Sequence, residues 1–452
     1  MIGSLQNKIR ETFERYRSDA EYRELIRTSF FSLIVRMIGV GTGFLVTLFT
    51  SRYFSAGALG IVSICVAILS LAGVAGKLGL DVAMMKLVAE YSWKNDFSTI
   101  KSLYLKALQL MLPVTFVISL VLYLSADWMA IHYFHKEYLG TYLKINAWIT
   151  FPLVLLLFHS ESTRGLKNIT SYTFYQTSAV SSIALVLLVI AVFTKNVPRE
   201  IPVEIQFVSI SIAGVMSLMS WLKASRFASN KTAPDAPKSD LLKIAMPMFT
   251  TTVLQLIMSW AGTLILAAYA TESQVGIYNA MVRISVFTNI TILAINSITM
   301  PRFAEAYAAN DTEALKRYSN QAARLIFVTS FPIFIVLSCF PGLILSIFGK
   351  EFPGNEGSLY VLLAGQFIVV ISGLSAQILN MTGRQHVLRN IAIVACLFNV
   401  SSCALLIPSH GIMGTCIAQV IGTFVWNTLC IWYVWKHFGF STIPFTGSKN
   451  ES

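Results

Sequence analysis

The sequence predicts an all-α, polytopic membrane protein of about twelve transmembrane helices, arranged as two pseudo-symmetric six-helix lobes. The chain of 452 residues is 55% hydrophobic and only 12% charged. Apolar stretches of 18 or more residues recur from Ser29 to His437, and each is long enough to cross a hydrocarbon core of roughly 30 Å as a helix. Related segments also recur about 216 residues apart, which indicates an internal duplication.

The apolar stretches divide into six predicted spans before a polar linker and six after it. The segment 1–28 is charged, with apolar residues at helical spacing, and is interpreted as a cytoplasmic amphipathic segment. The remaining boundaries are an N-terminal lobe 29–222, a cytoplasmic linker 223–240, a C-terminal lobe 241–436 and a cytoplasmic tail 437–452. The predicted spans are 29–51, 59–80, 103–125, 141–161, 174–194, 203–222, 244–268, 276–299, 321–347, 358–381, 387–408 and 412–435.

Two short motifs carry the repeat. Gly60-Ile61 returns as Gly276-Ile277, and the run 86–96 returns as 301–311 with Ala-Glu and Asn-Asp in register. Each inner loop that holds the second motif, 82–101 and 300–320, is amphipathic and is predicted to form an interfacial helix. Two halves that rock about a central site give alternating access, so the duplication favours a transporter.

The net charge of +12 is a topology signal rather than the footprint of a nucleic-acid partner. If both termini are cytoplasmic, most Lys and Arg fall in inner segments. This bias predicts a multi-pass protein of the cytoplasmic membrane with both termini inside, in contact with anionic membrane lipids. The outer segments then hold only Arg52, Lys136, Lys195, Arg199 and Lys350.

Two arginines lie deep inside predicted spans, where a charge is expensive and indicates function. Arg36 and Arg283 each lie seven residues into a span, about 10 Å from its nearer end. They belong to opposite halves, and the repeat places Thr252 and Ala67 at the corresponding positions. Because arginine offers a fork of donors that suits phosphate, we expect a cationic substrate-binding cavity, extended outward by Arg52.

The acidic candidates are Asp81 and Glu161, near the cytoplasmic ends of the second and fourth spans. Either residue is a candidate for proton or Na⁺ coupling. Lys77 lies four residues before Asp81, so a self-contained ion pair is the alternative. The sequence contains no Walker A loop, His-Glu-x-x-His or Gly-x-Ser-x-Gly motif, so we expect no enzyme, no cofactor and no metal site.

The opening from Leu25 to Tyr91 resembles the polysaccharide transporter (oligosaccharide flippase) family of the multidrug/oligosaccharidyl-lipid/polysaccharide exporter superfamily. The run RYFSAGALGIVS (52–63) fits the family opening, and AYATESQVGIYNA (268–280) is its counterpart in the second half. The resemblance covers roughly residues 20–440, and twelve helices rather than fourteen count against its lipid II flippase branch.

The resemblance implies a V-shaped transporter that moves an undecaprenyl-diphosphate-linked oligosaccharide from the inner to the outer leaflet. Such a carrier would export a precursor of O-antigen, capsule or exopolysaccharide, in contact with polysaccharide-assembly proteins. Cationic residues would line its central cavity, which agrees with Arg36 and Arg283 by helix and charge.

Three alternatives remain open. A drug or cation antiporter of the same superfold would favour carboxylates deep in the lobes. A membrane-embedded enzyme of glycan assembly would need a large outer loop that carries catalytic groups. A membrane scaffold without transport activity would not explain the repeat.

Overall fold

A computed structural model describes residues 20–194, 198, 200–225 and 238–444, and all regular structure within them is helical. Short π-helical turns follow or interrupt three helices of the first half, and a 3₁₀ turn separates α10 from α11. The first half contains α1 (Ala20–Phe49), α2 (Ala56–Lys77), α3 (Leu80–Trp93), α4 (Phe97–Trp128), α5 (Leu139–Gly165), α6 (Ile169–Thr173), α7 (Ala179–Phe193) and α8 (Ile201–Ala224). The second half contains α9 (Lys238–Tyr269), α10 (Glu272–Ser285), α11 (Ile290–Ala308), α12 (Thr312–Cys339), α13 (Pro341–Phe348), α14 (Glu356–Ser372), α15 (Ser375–Met381) and α16 (Gln385–Phe438).

The helices confirm a polytopic membrane fold. Within the described residues, ten helices are long and apolar enough to cross a membrane, or eleven when α14 and α15, bent by 47°, are one span. The 54-residue α16 breaks at Gly411, where φ is 53° and ψ is −124°. Asn399 donates to the carbonyl of Ala418 at 3.2 Å, although a straight helix would separate them by about 28 Å. α16 is therefore a hairpin of two spans, which brings the described segments to the predicted twelve.

The predicted domain boundaries are only partly covered by the described residues. Most of the amphipathic segment 1–28 lies outside them, as do 226–237 of the linker and 445–452 of the tail. α9 begins at Lys238, three residues before the predicted start of the C-terminal lobe. The division into five segments stays a prediction.

The repeated Asn-Asp pair forms the same helix corner in both halves. Asn95 and Asn310 adopt left-handed conformations, with φ of 55° and 54°, which asparagine tolerates better than most residues. The following Asp96 and Asp311 then cap α4 and α12 by accepting from the backbone N–H three residues on. The recurrence of this corner explains why these letters match across the halves.

The separate helix predicted over 300–320 does not form, because residues 300–308 and 312–320 belong to α11 and α12. In the first half, Leu78 and Gly79 are both left-handed, with φ of 50° and 73°, and this break separates α3 from α2. No left-handed pair interrupts the corresponding helix of the second half, since α11 runs unbroken to Ala308. Residues 300–308 are therefore the end of a longer helix, while α3 is a separate helix as predicted.

The two halves meet where the repeated glycines cross. A Cβ on Gly60 would clash with the carbonyl oxygen of Glu272 and lie 2.7 Å from its carbon. A Cβ on Gly276 would clash in the same way with Ala56, 2.9 Å from its carbonyl carbon. Because Gly60 and Gly276, like Ala56 and Glu272, are 216 residues apart, these reciprocal contacts mark the pseudo-twofold axis. We call this surface, where α1, α2, α3 and α4 meet α9, α10 and α13, the seam.

Candidate functional site

Arg283 crosses the seam, and among the described residues it makes no polar contact there. Its Nη1 atom lies 3.3 Å from the position that a Cβ on Gly43 of α1 would occupy. The missing side chain of Gly43 therefore provides room for the guanidinium. Arg283 is exposed, and within the described part of the chain no hydrogen bond or ion pair engages it. An uncompensated cation inside a membrane span is costly, and an anionic ligand would offset that cost.

Arg36 lies on the same face of α1 as Gly43. Seven residues separate the two positions, which is close to two full turns and about 10 Å along the helix. Arg36 is half-buried, and its charge acts on the hydroxyl of Tyr172 in α6. One stripe of α1 thus connects the two arginines that the sequence singled out, but their guanidinium groups have different surroundings.

Arg52 and Lys136 hold the seam closed at one end of the bundle. Arg52 Nη1 donates to the carbonyl of Ile347 at 2.8 Å, near the end of α13. Lys136 Nζ donates to the carbonyls of Ala267 and Ala270 at 2.6 and 2.8 Å, at the end of α9. Cations at helix C-termini satisfy carbonyls that lack a partner in the helix and interact favourably with the helix dipole. Two residues of the first half thus cap two helices of the second half.

A third polar link crosses the seam beside Lys136. The hydroxyl of Tyr138 donates to a carboxylate oxygen of Glu272, the first residue of α10. Burial and this contact with Glu272 raise the pKa of the Tyr138 hydroxyl, so it remains a donor at neutral pH. Arg52 was predicted to extend a substrate path, whereas the structure uses its guanidinium to bridge the halves. Nothing in the sequence marked Lys136 or Tyr138 as bridging residues.

The two predicted coupling carboxylates lie in one buried charge cluster. Asp81 pairs with Lys77, as the alternative interpretation expected, although the pair spans the break between α2 and α3. Lys77 and Asp81 are only 9% and 2% exposed. Glu161 of α5 is also buried, and the charges of Asp81 and Lys77 both act on it. Asp81 Oδ1 has no hydrogen-bond partner among the described residues, so the carboxylate retains an unused acceptor.

The cluster extends from Glu161 towards Arg36. Arg164 Nη1 lies 3.4 Å from Glu161 Oε2, and its guanidinium carbon stands 4.9 Å from the centre of the Tyr172 ring. The charges of Glu161, Arg164 and Arg36 all act on the Tyr172 hydroxyl. Tyr172 is therefore near both the Glu161–Arg164 pair and Arg36.

His159 is separate from this cluster in its contacts. It is fully buried, and its Nε2 atom lies 3.1 Å from the hydroxyl of Tyr104. Phe158 and Trp221 complete an aromatic environment around Tyr104. This packing gives His159 a structural role in the core of the first half. Among the described residues, no three side chains of His, Cys, Asp or Glu are grouped as a metal site would need.

The comparison with protein families covers most of the chain. The family described as polysaccharide biosynthesis protein matches residues 25–307. The chain belongs to this family. The MatE family also matches, over residues 247–405. Membership in the polysaccharide biosynthesis protein family confirms the resemblance seen in the opening segment and its counterpart.

Relatives and solved structures agree with this assignment. The probable low-salt glycan biosynthesis flippase Agl15 of Haloferax volcanii is 21% identical over 412 residues, which cover 90% of this chain and 82% of Agl15. An inward-facing multidrug resistance MATE transporter aligns with a TM-score of 0.75 at 15% identity, over 90% of this chain and 98% of its own. The lipid II flippase MurJ aligns with a TM-score of 0.70 at 16% identity, over 90% and 87%. The fold of this family member is therefore that of the exporter superfamily.

Proposed function

We propose that the protein is a flippase that moves an undecaprenyl-diphosphate-linked oligosaccharide across the cytoplasmic membrane by alternating access. The cargo would serve the assembly of a surface polysaccharide such as O-antigen, capsule or exopolysaccharide. Family membership supports a role in polysaccharide biosynthesis, and the two-half fold supports transport. Agl15, a relative over most of the chain, is named as a glycan biosynthesis flippase.

The observation that carries the proposal is the guanidinium of Arg283 at the seam, which has no partner in the described part of the chain. A diphosphate cannot enter hydrocarbon unescorted, because burying an unpaired charge is very unfavourable. Arg283 supplies a permanent cation with free donors beside Gly43, and Arg36 supplies a second about 10 Å further along α1. We infer that the diphosphate binds first near one arginine and then near the other as the halves move.

Charge reversal at Arg283 tests this role. Hydrogen bonds to charged groups contribute about 1.5–3 kcal/mol, so Arg283→Gln should weaken cargo binding by roughly 10- to 100-fold. Arg283→Glu and Arg36→Glu should abolish transfer of the lipid-linked oligosaccharide across the membrane of reconstituted vesicles. The measurement is the fraction of cargo accessible to a membrane-impermeant glycosidase over time.

Arg389→Glu is the matched control, since Arg389 is an exposed arginine near the start of α16 that the cavity does not require. All variants should insert in equal amounts, and Arg283→Lys should retain part of the activity. Normal transfer by both Arg36→Glu and Arg283→Glu would contradict the proposed cationic cavity.

The positive-inside bias supports a cytoplasmic membrane protein with both termini in the cytoplasm. The N-terminal ends of α2 and α10, with the bridges of Arg52 and Lys136, then lie on the outer side. On this orientation the described state is closed towards the outside. A reporter fused after Ser452 is expected to behave as cytoplasmic, whereas export of the reporter would overturn the proposed topology.

The buried charge cluster supports a coupling role for Asp81 and Glu161. Asp81 from α3 and Glu161 from α5 share a site with Lys77 and Arg164. The addition of one proton to either carboxylate would therefore change both ion pairs. Because the cluster continues to Arg36 through Tyr172, protonation there would alter the field at the stripe of α1. We propose that ion movement through this cluster drives the change of access.

A drug or cation antiporter is the second candidate, and the same buried carboxylates favour it. In that function Asp81 and Glu161 would exchange a proton for a cationic substrate. The arginine variants separate the two functions. Arg283→Glu should leave cation efflux intact or improve it in an antiporter, and should stop glycolipid transfer in a flippase.

A further inference from the structure

An apolar cavity lies at the seam, on the side where α2 and α4 face α9. It is a cavity of about 580 Å³ whose walls include Ile68 and Ala72 of α2, Val117 and Val121 of α4, and Leu264 of α9. The walls are almost wholly apolar. The hydroxyl of Ser125 also faces this space, but it donates to the carbonyl of Val121 at 2.7 Å. The cavity therefore excludes sugars and charged groups and accepts hydrocarbon.

The wall that α4 contributes to the cavity is long and narrow. Its residues on α4 recur at 117, 121, 125 and 128, which is one stripe of a helix and about 16 Å long. Because α4 is a candidate membrane span, the stripe runs along the direction in which lipid chains lie. Val121 and Trp128 are exposed on the protein surface, so a chain can enter sideways from the bilayer without crossing water.

Lys136 lies near one end of the cavity, because its ammonium bonds the carbonyl of Ala267, about one helical turn beyond the wall residue Leu264. Phe134 lines the cavity, and Lys136 follows two residues later, bonded to the carbonyls of Ala267 and Ala270. These two bonds use two of the three N–H groups of the ammonium, and Lys136 is only half-buried. The third N–H has no partner among the described residues and is free to donate to an anion. Trp128 and Tyr133 lie at the same end, as aromatic residues do at the level of lipid headgroups.

We propose that this cavity binds one acyl chain of an anionic membrane phospholipid, whose phosphate contacts Lys136. The tail of a transported lipid is a less suitable occupant. Arg283 meets α1 at Gly43, whereas the cavity is bounded by α2, α4 and α9. The bound chain fills the seam between the halves beside the Lys136 bridge and stabilises their contact. This site does not depend on the identity of the cargo.

The site can be tested by photolabelling the full-length protein in nanodiscs. The probes are phosphatidylglycerol and phosphatidylcholine, each with a diazirine in one acyl chain, and labelled peptides are identified by mass spectrometry. Label is expected on α2 and on the part of α4 from 117 to 128. One nearby lysine contributes about 1 kcal/mol to the binding of anionic lipid, so phosphatidylglycerol should label about fivefold more than phosphatidylcholine.

Val121→Trp, which places an indole at the cavity wall, should lower this labelling about tenfold, since it excludes at least two methylene groups of the chain. Val186→Trp on α7 is the matched control, because Val186 and Val121 are both 59% exposed and Val186 does not line the cavity. Ser125→Phe provides a second cavity-filling variant if Val121→Trp does not fold.

Equal labelling of the cavity in Val121→Trp and Val186→Trp would overturn the proposal. Preferential labelling by a diazirine polyprenyl diphosphate, at the expense of phosphatidylglycerol, would assign the cavity to the cargo and also overturn it. Neither result bears on the transfer assay of the Arg283 variants, so the two proposals fail independently.

Discussion

Gly60→Ala is expected to force the two halves apart at the crossing of α2 and α10 and to abolish transport. The added methyl group meets the backbone of Glu272, which has no side-chain freedom with which to move away. Over-packing a tight contact typically costs about 1–3 kcal/mol, and small residues at helix interfaces in membranes exist to permit such close approach. Gly276→Ala should have the same effect through Ala56.

Thermal unfolding of the purified protein and transfer assays in vesicles measure this effect. Gly41→Ala is the matched control, because a Cβ at Gly41 in α1 meets nothing within 4 Å. The double variant Gly60→Ala with Gly276→Ala should be less destabilised than the sum of the single variants, since both methyl groups open the same contact. Wild-type stability and activity in Gly60→Ala would show that the halves do not need this approach.

The second large effect is expected from breaking the Lys77–Asp81 pair. Removing one partner of a buried ion pair leaves an uncompensated charge and costs about 3–5 kcal/mol. Asp81→Asn and Lys77→Met should therefore each lower the stability to unfolding by about this amount. The double variant Lys77→Met with Asp81→Leu should recover most of the loss, because replacing both charges with apolar groups is often neutral.

The exposed pair Lys94–Glu90 is the matched control. It has the same spacing of four residues, but both side chains are 48% exposed, so Lys94→Met should cause no measurable loss of stability. The double variant at the buried pair also separates stability from coupling. A stable protein that no longer responds to an imposed proton gradient would support the coupling role. Unchanged stability of Asp81→Asn would contradict a charged pair.

The sequence predicted that the two halves share one helical plan, because their helix corners depend on a few adjacent residues that occur in both halves. Asn95-Asp96 and Asn310-Asp311 form equivalent corners since a left-handed residue and a helix cap are properties of a few adjacent residues. The separate helix expected over 300–320 did not form, also for a local reason. Its amphipathic pattern was present, but the break that frees α3 depends on the left-handed pair Leu78 and Gly79, which α11 lacks.

The sequence named candidate site residues one by one but did not predict how they are arranged. Helix positions indicated that Arg36 and Arg283 are deep, while the proximity of Arg283 to Gly43 follows from the packing of α10 against α1. Asp81 and Glu161 were separate candidates, and only the fold brings them into one cluster. The bridging role of Lys136 was missed because its acceptors are backbone carbonyls more than 130 residues away. Every residue carries a backbone carbonyl, so the sequence does not indicate which one serves as the acceptor.

The reciprocal crossing of Gly60 and Gly276 makes the molecule resemble an isologous dimer whose subunits have been joined into one polypeptide. In an isologous contact the same patch is used on both sides. Each glycine therefore packs against the backbone of the other half and also leaves room for that backbone to approach. A larger side chain at either glycine cannot be accommodated by changes within its own half alone, because the backbone that it would contact belongs to the other half. Substitutions at Gly60 and Gly276 are therefore expected to be tolerated only when the opposite half changes with them.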